Sequence, residues 1–342
     1  MSFNRLSADD FVVSADSITA GLFTTARVPE ITTFYTSSTQ AAGSSGNYYL
    51  NVYSNETTSS LEFAVTYGNE QGSGSQAYNT DIDGKSYSST IYGQYRTLVL
   101  GDENSSFVFG GVTSSDFWAL SVDRNRYKES IFPGSTTLLL SGSEGVISLT
   151  DNSQAVTTVQ FNDAGRVFQL VSGSAGTIST DLNANGYSTD SGSYGWFLPD
   201  IATYLLNPRA LSNDKADGGI GLEATTTSAT TITSNPNPGI IFNAISSSDA
   251  ASFTANSEET ITSDYIFVRP RSSEYNYSEN PSYISGSTGE VRYSLFINSP
   301  TTYITTVGMY NDANELLAVA KLSKPLKKDF TKEALIRVKL DF

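Results

Sequence analysis

Apolar and polar residues alternate with a period of two along much of this 342-residue chain. Leu61, Phe63, Val65 and Tyr67 are interleaved with Glu62, Ala64 and Thr66. Val291, Tyr293, Leu295 and Ile297 are interleaved with Arg292, Ser294, Phe296 and Asn298. Ile336, Val338, Leu340 and Phe342 are interleaved with Arg337, Lys339 and Asp341. Successive side chains of an extended strand point to opposite faces, so each run predicts a strand with one apolar and one wetter face. Further short strands are predicted at Tyr48–Tyr53, Thr97–Leu100, Ser106–Phe109, Phe117–Asp123, Leu138–Leu140, Val146–Leu149 and Val156–Phe161. Four more follow at Val167–Val171, Tyr265–Val268, Thr302–Tyr310 and Leu316–Leu322. Gly, Ser, Asn and Pro punctuate many of the gaps, as in sandwiches and barrels.

Helical periodicity is thin. Pro199–Asn207 predicts one short helix, with Pro near its start and Pro208 just beyond its end. Arg124–Ile131, stopped by Pro133-Gly134, predicts a second. The expected fold class is therefore all-β: antiparallel, β-sandwich-like modules with long polar loops and at most one or two short helices. Three stretches rich in Ser, Thr, Gly and Asn, at Thr36–Asn47, Ser172–Gly195 and Thr225–Gly239, predict long surface loops. The third holds two Asn-Pro steps, which favour extended or turn geometry. It marks the expected boundary: an N-terminal β-rich region over 1–224, a linker or long loop over 225–239, and a C-terminal β-module over 240–342. No clean internal repeat is visible.

Composition narrows the chemistry. The chain has neither cysteine nor histidine, which closes disulfides, thiolate nucleophiles, Cys-ligated zinc, imidazole ligands and His-based acid–base catalysis. Any catalysis would rest on carboxylates, Lys, Tyr or Ser–Lys pairs. Charged residues make up 16% of the chain and aromatics 12%, a profile opposite to that of disordered proteins, which combine high charge with few aromatics. Met1–Phe11 lacks a basic region followed by an apolar core, so no signal peptide is expected. Apolar runs such as Ile240–Ile245 fall far short of the roughly 20 residues that span a bilayer. With 20 basic against 35 acidic residues the formal charge is −15, which argues against a broad nucleic-acid surface.

Local motifs are sparse. Asp181, Asn183, Asn185 and Gly186 match the opening of a calcium loop, with oxygen ligands at positions 1, 3 and 5 and glycine at the turn. Position 12 is Gly192 instead of the bidentate Glu, and Asn185-Gly186 is also an ordinary hairpin turn. Asp81 and Asp83-Gly84 read as a turn. Glu258 and Glu259 are adjacent and would point to opposite faces of a strand. Ser212 and Lys215 have the bare S-x-x-K spacing in a polar, turn-like stretch, without a helix to aim one at the other. No metal, cofactor or catalytic residue is assigned.

Charge segregation is more informative. Lys321, Lys324, Lys327, Lys328, Lys332, Arg337 and Lys339 crowd the last 22 residues against Asp329, Glu333 and Asp341, leaving that segment at +4 and the remainder at −19. Two readings stand side by side: a solvated face whose edge lysines block unwanted sheet pairing, or a basic patch that docks on an acidic surface of a neighbouring subunit or a second copy. Tyr187, Tyr194 and Trp196, in a Ser/Gly-rich stretch, have the composition of an adaptable binding surface, and equally that of residues covering a sheet face.

Several segments resemble a virion structural protein of T4-like myophages that infect marine cyanobacteria. They are Asn256–Arg271 (NSEETITSDYIFVRPR), Tyr283–Val291 (YISGSTGEV), Thr302–Leu322 and Phe330–Phe342 (FTKEALIRVKLDF), with Asp9–Ile18, Ile91–Leu100 and Phe117–Gly134 nearer the start. The resemblance implies a tail or baseplate component without enzymatic activity. It implies assembly in the host cytoplasm, residence in the virion tail, and other tail or baseplate proteins and further copies of itself as partners; net acidity and the short apolar runs, for their part, predict neither nucleic-acid binding nor membrane insertion. It transfers no functional residue. A glycan- or receptor-binding tail module is the alternative expectation.

Overall fold

The run Asp116–Val122 (DFWALSV) has almost no polar side, and five of its seven residues are buried. Such a strand must be covered on both faces. The computed structural model shows how; it describes residues 5–22, 35–36, 48–53, 61–75, 86–179, 191–226, 235–246 and 253–341. In chain order the strands begin with β1 (Phe11–Gly21), β2 (Tyr35–Thr36), β3 (Leu50–Tyr53) and β4 (Leu61–Asn69), followed by helix α1 (Tyr87–Leu100). Next come β5 (Phe107–Phe109), β6 (Val112–Ser114), β7 (Asp116–Val122), β8 (Ser130–Ile131), β9 (Thr137–Gly142), β10 (Gly145–Asp151) and β11 (Gln160–Asn162). Then follow β12 (Gly165–Ser174), β13 (Thr177–Ile178), β14 (Gly195–Leu198), β15 (Thr203–Leu206), α2 (Pro208–Ser212), α3 (Asn237–Ser246) and β16 (Phe253–Thr254). The chain continues through β17 (Asn256–Val268), α4 (Ser294–Asn298), β18 (Thr301–Tyr310), β19 (Leu316–Asp329) and β20 (Ile336–Asp341). The fold is all-β in character, and the strand pairings among β2–β20 are antiparallel.

Two compact units divide the chain: a larger one over Ile18–Glu259 and a smaller one formed by Met1–Ser17 with Thr260–Phe342. This division differs from the expected boundary at 225–239. Asn237 explains why. Its side chain accepts from the Thr225 backbone at 2.7 Å and donates to Thr225 O and Gly74 O, while its carbonyl accepts from Trp118 Nε1 at 3.2 Å. The Asn-Pro stretch therefore enters α3, whose Ile241, Ala244 and Ile245 are buried in the larger unit's core.

The larger unit is one extended sheet in the order β16-β9-β10-β12-β14-β15-β7-β4-β3-β2, with β11 and β13 also pairing with β12. Its central strands send alternate residues into two cores. Trp118, Leu120, Phe197, Tyr204 and Leu206 pack with α3 in one. Phe117, Ala119, Leu198 and Leu205 pack with Ile91, Tyr92 and Val99 of α1 in the other. The expected wetter face of β4 is covered by α1 as well: Glu62 and Thr66 are buried, and Arg126 pairs with Glu62 at 2.9 Å. Gly68 permits this, since a Cβ there would lie 3.1 Å from Tyr92 Cα.

In the smaller unit β17 pairs with β20 in register from Ser263–Asp341 to Val268–Ile336, and β1 lies on the other side of β17. β18 and β19 form a separate hairpin. One face of the hairpin, through Ile304, Val307, Met309, Ala320, Leu322 and Leu326, packs on Ile266, Ile336 and Val338 of the β17–β20 sheet. Two sheets meeting face to face give this unit a sandwich-like arrangement around a very small core.

Several local expectations are corrected. Thr97–Leu100 is the last turn of α1, because Ile91, Tyr92, Tyr95 and Val99 recur at helical spacing and Gly101 closes the helix with φ 70°. Pro199–Asn207 is a 3-10 turn (Pro199–Ile201) followed by β15; Ala202, at φ 50°, breaks any helix there. Arg124–Ile131 is a 3-10 turn followed by β8. Val156–Phe161 reaches the sheet only at β11, where Gln160 and Phe161 pair with β12. Val291 makes an isolated bridge to Ile284 and Ser294–Asn298 is a short helix; the alternation there finds no partner strand. Four α-helices occur among the described residues, more than the expected one or two. None is long and apolar enough to cross a membrane.

Candidate interaction surface

The hairpin β18–β19 turns its second face to solvent. Tyr303 is 61% exposed, Leu317 68% and Val319 58%, and Leu316 and Tyr310 join them. Tyr293, Leu295 and Ile297 on and before α4, with Phe330 and Leu335 beyond the hairpin, are similarly open. The smaller unit thus buries few large apolar side chains and leaves many in water. Tyr310 lies opposite Leu316 and Val319 opposite Gly308 in the ladder, so apolar side chains gather at the turn end of the hairpin, and exposed apolar patches mark surfaces that other molecules cover.

The basic residues are divided between the two outer faces of the smaller unit, because those on β20 alternate with the inward Ile336 and Val338 and so point away from the hairpin. Lys321, Lys324 and Lys327 are exposed on β19, Lys332 in the turn after it, and Arg337 and Lys339 on β20. Their charges are partly engaged locally. Lys327 Nζ lies 3.8 Å from Asp329, while Lys339 pairs with Asp341 at 2.9 Å. The hydrogen bond to Asp341 raises the Lys339 ammonium above its ordinary value. Bonds from Ser263 and then Lys339 hold the Asp341 carboxyl below the usual range. The Arg337 guanidinium sits 5.5 Å from the Tyr265 ring centre, a cation–π distance.

Lys328 departs from the expectation. It is fully buried, and its ammonium donates to Asn276 Oδ1 at 2.8 Å, Ser272 O at 2.9 Å and Asp329 O at 3.0 Å. It lies opposite Thr302 in the ladder, on the inward face. It therefore belongs to the packing of the smaller unit and not to a solvent-facing patch.

The remaining motifs fall elsewhere. The Asp181–Thr189 loop, Tyr187, Asp81 and Asp83 lie outside the described residues. Glu258 accepts from Ser130 Oγ at 3.2 Å and lies 3.8 Å from Arg166, which also holds Asp200 at 2.6 Å. Ser212 Oγ donates to Arg209 O, and Lys215 is exposed in the next 3-10 turn. Tyr194 is buried, its hydroxyl donating to Gly218 O at 2.6 Å. Trp196 packs edge-on against Phe107 and Phe109, so both aromatics serve the core. Among the described residues no group of three or more acidic side chains is gathered closely enough to hold a metal ion.

Sequence reasoning missed the buried carboxyls. Asp116 accepts from Tyr67 Oη at 2.9 Å, and burial raises the Asp116 carboxyl and keeps the Tyr67 phenol protonated. Asp151 receives Gly134 N at 2.9 Å and is likewise raised by burial. Nothing in the local pattern distinguishes these from surface aspartates. No family model matches the chain, and no curated protein or solved structure matches it either.

Proposed function

We propose that the chain is a structural subunit of a contractile phage tail, placed at the baseplate and acting through subunit–subunit assembly without catalysis. The observation that supports this most is the exposed apolar face of β18–β19, bordered by Lys321, Lys324 and Lys327. An apolar centre with a charged rim is the usual anatomy of a protein interface. The resemblance of the same C-terminal segments to a virion structural protein gives that interface its setting. In this reading the larger unit is a rigid body braced by two cores, and the smaller unit carries contact surface that neighbouring subunits bury. Mass spectrometry of tails separated from heads tests it: the chain is expected in tails at a fixed ratio to other tail proteins. Its absence from the particle would overturn the assignment.

A further inference from the structure

The two edges of the β18–β19 hairpin are protected unequally. A bare strand edge invites pairing, and proteins blunt it with lysines, proline or bulges. β19 carries all three: exposed Lys321, Lys324 and Lys327, Pro325 without an N–H, and a bulge in which Leu322–Pro325 stand opposite the single residue Thr305. β18 (TTYITTVGMY) has no charged residue, no proline and no strand on its outer edge among the described residues. The other edge strands of the smaller unit's sheets each carry charge, Asp16 on β1 and Arg337, Lys339 and Asp341 on β20.

We propose that two copies of the chain dimerise through β18, pairing antiparallel about a two-fold axis to give a continuous sheet in the order β19–β18–β18–β19. The inference rests on the reading of the chain as an assembly subunit. The strand is self-complementary in this arrangement. Centred between Thr305 and Thr306, it sets Ile304 opposite Val307, Tyr303 opposite Gly308, and the two threonines opposite each other. Each pair matches in burial: Ile304 and Val307 are half-buried against the core, while Tyr303, Gly308, Thr305 and Thr306 are exposed, the strand's alternation breaking at the two adjacent threonines, where its ladder with β19 is irregular. β-Branched and Thr–Thr pairs are favourable cross-strand neighbours, and a two-fold contact of one patch with itself closes without forming fibres. Charge permits the approach. The smaller unit holds 11 basic and 12 acidic residues, a net −1, whereas the larger holds 9 and 23, a net −14. Pairing through the smaller unit thus brings nearly neutral bodies together.

Sedimentation velocity of the full chain, with two kinds of variant, tests this. The wild type is expected to sediment as a dimer. Thr305→Lys places a blocking lysine at an exposed position, and is expected to sediment as a monomer with an unchanged far-ultraviolet circular dichroism spectrum. Because the chain has no cysteine, Thr305→Cys is expected to form a reducible covalent dimer on oxidation, and Lys324→Cys on the guarded edge is not. A wild type that stays monomeric at its highest soluble concentration would overturn the proposal. So would a dimer that survives Thr305→Lys and is not trapped by Thr305→Cys; that outcome leaves assembly intact and moves it to another surface. The assembly reading itself fails separately, on absence of the chain from tails.

Discussion

Lys328 Nζ donates to Asn276 Oδ1 at 2.8 Å inside the smaller unit, tying the hairpin to the segment that precedes α4. Thr302, opposite Lys328 in the ladder, donates to Tyr275 O from the same side. Asn276 in turn donates to Ser272 O at 2.7 Å. Three carbonyl oxygens thus replace the hydration of a buried ammonium, which is costly to desolvate unless its donors are satisfied.

Asn276→Ala leaves that ammonium with two of its three acceptors. Hydrogen bonds to charged groups contribute about 2 kcal/mol, so the smaller unit should lose about that much stability while the larger unit keeps its own. Hydrogen exchange resolved by peptide checks this, with protection falling over β18 and β19 and staying constant over β7 and β15. Unchanged protection of the hairpin would contradict the anchoring role.

Tyr67 and Asp116 predict a pH dependence. Burial raises the folded carboxyl above its ordinary 3.8, so over the interval above 3.8 the folded state binds more protons than the unfolded one. Stability from this group is therefore full below the unfolded value and is lost as pH rises through the folded one. Asp116→Asn should flatten the fall in urea midpoint between pH 4 and 7 relative to wild type. Tyr67→Phe removes a donor to the carboxylate and should cost about 2 kcal/mol at pH 7, and less at pH 4. Equal losses at the two pH values would count against the pair.

Gly68 sets how closely α1 lies on β4. A methyl group there would sit 2.8 Å from Phe117 Cζ and 3.1 Å from Tyr92 Cα, and the Phe117 ring is itself packed between Tyr92, Tyr95 and Phe107. Gly68→Ala should destabilise the larger unit by about 1–3 kcal/mol, the usual range for overpacking. A thermal midpoint equal to that of the wild type would show that α1 can shift freely.

Trp196→Ala separates a core role from a binding role. With the indole against Phe107 and Phe109, truncation should cost about 3 kcal/mol, the scale of removing a large core aromatic. Glycan-array signal lost from a variant of unchanged stability would instead support a binding loop.

The strands were legible where alternation was long, as in β4, β18 and β20, although the polar face of β4 is covered too. α1 was not, because YSSTIYGQYRTLVL is rich in β-branched and aromatic residues of modest helix propensity and contains Gly93. Packing against β4 overrides that preference. The Asn-Pro steps read as a boundary, yet Asn237 binds residues 74, 118 and 225, contacts too distant in sequence to be visible locally. The basic cluster was legible as charge, but the burial of Lys328 depended on Ser272 and Asn276, more than 50 residues away.

The central claim, that the smaller unit is covered by neighbouring subunits, is met most directly by lysine-directed cross-linking and mass spectrometry of intact tails. The exposed Lys321, Lys324, Lys327, Lys332 and Lys339 should give cross-links to other polypeptides or to a second copy, and Lys328 should give none. Recovery of the chain with only intramolecular cross-links from these lysines, or no recovery in tails, would contradict the account.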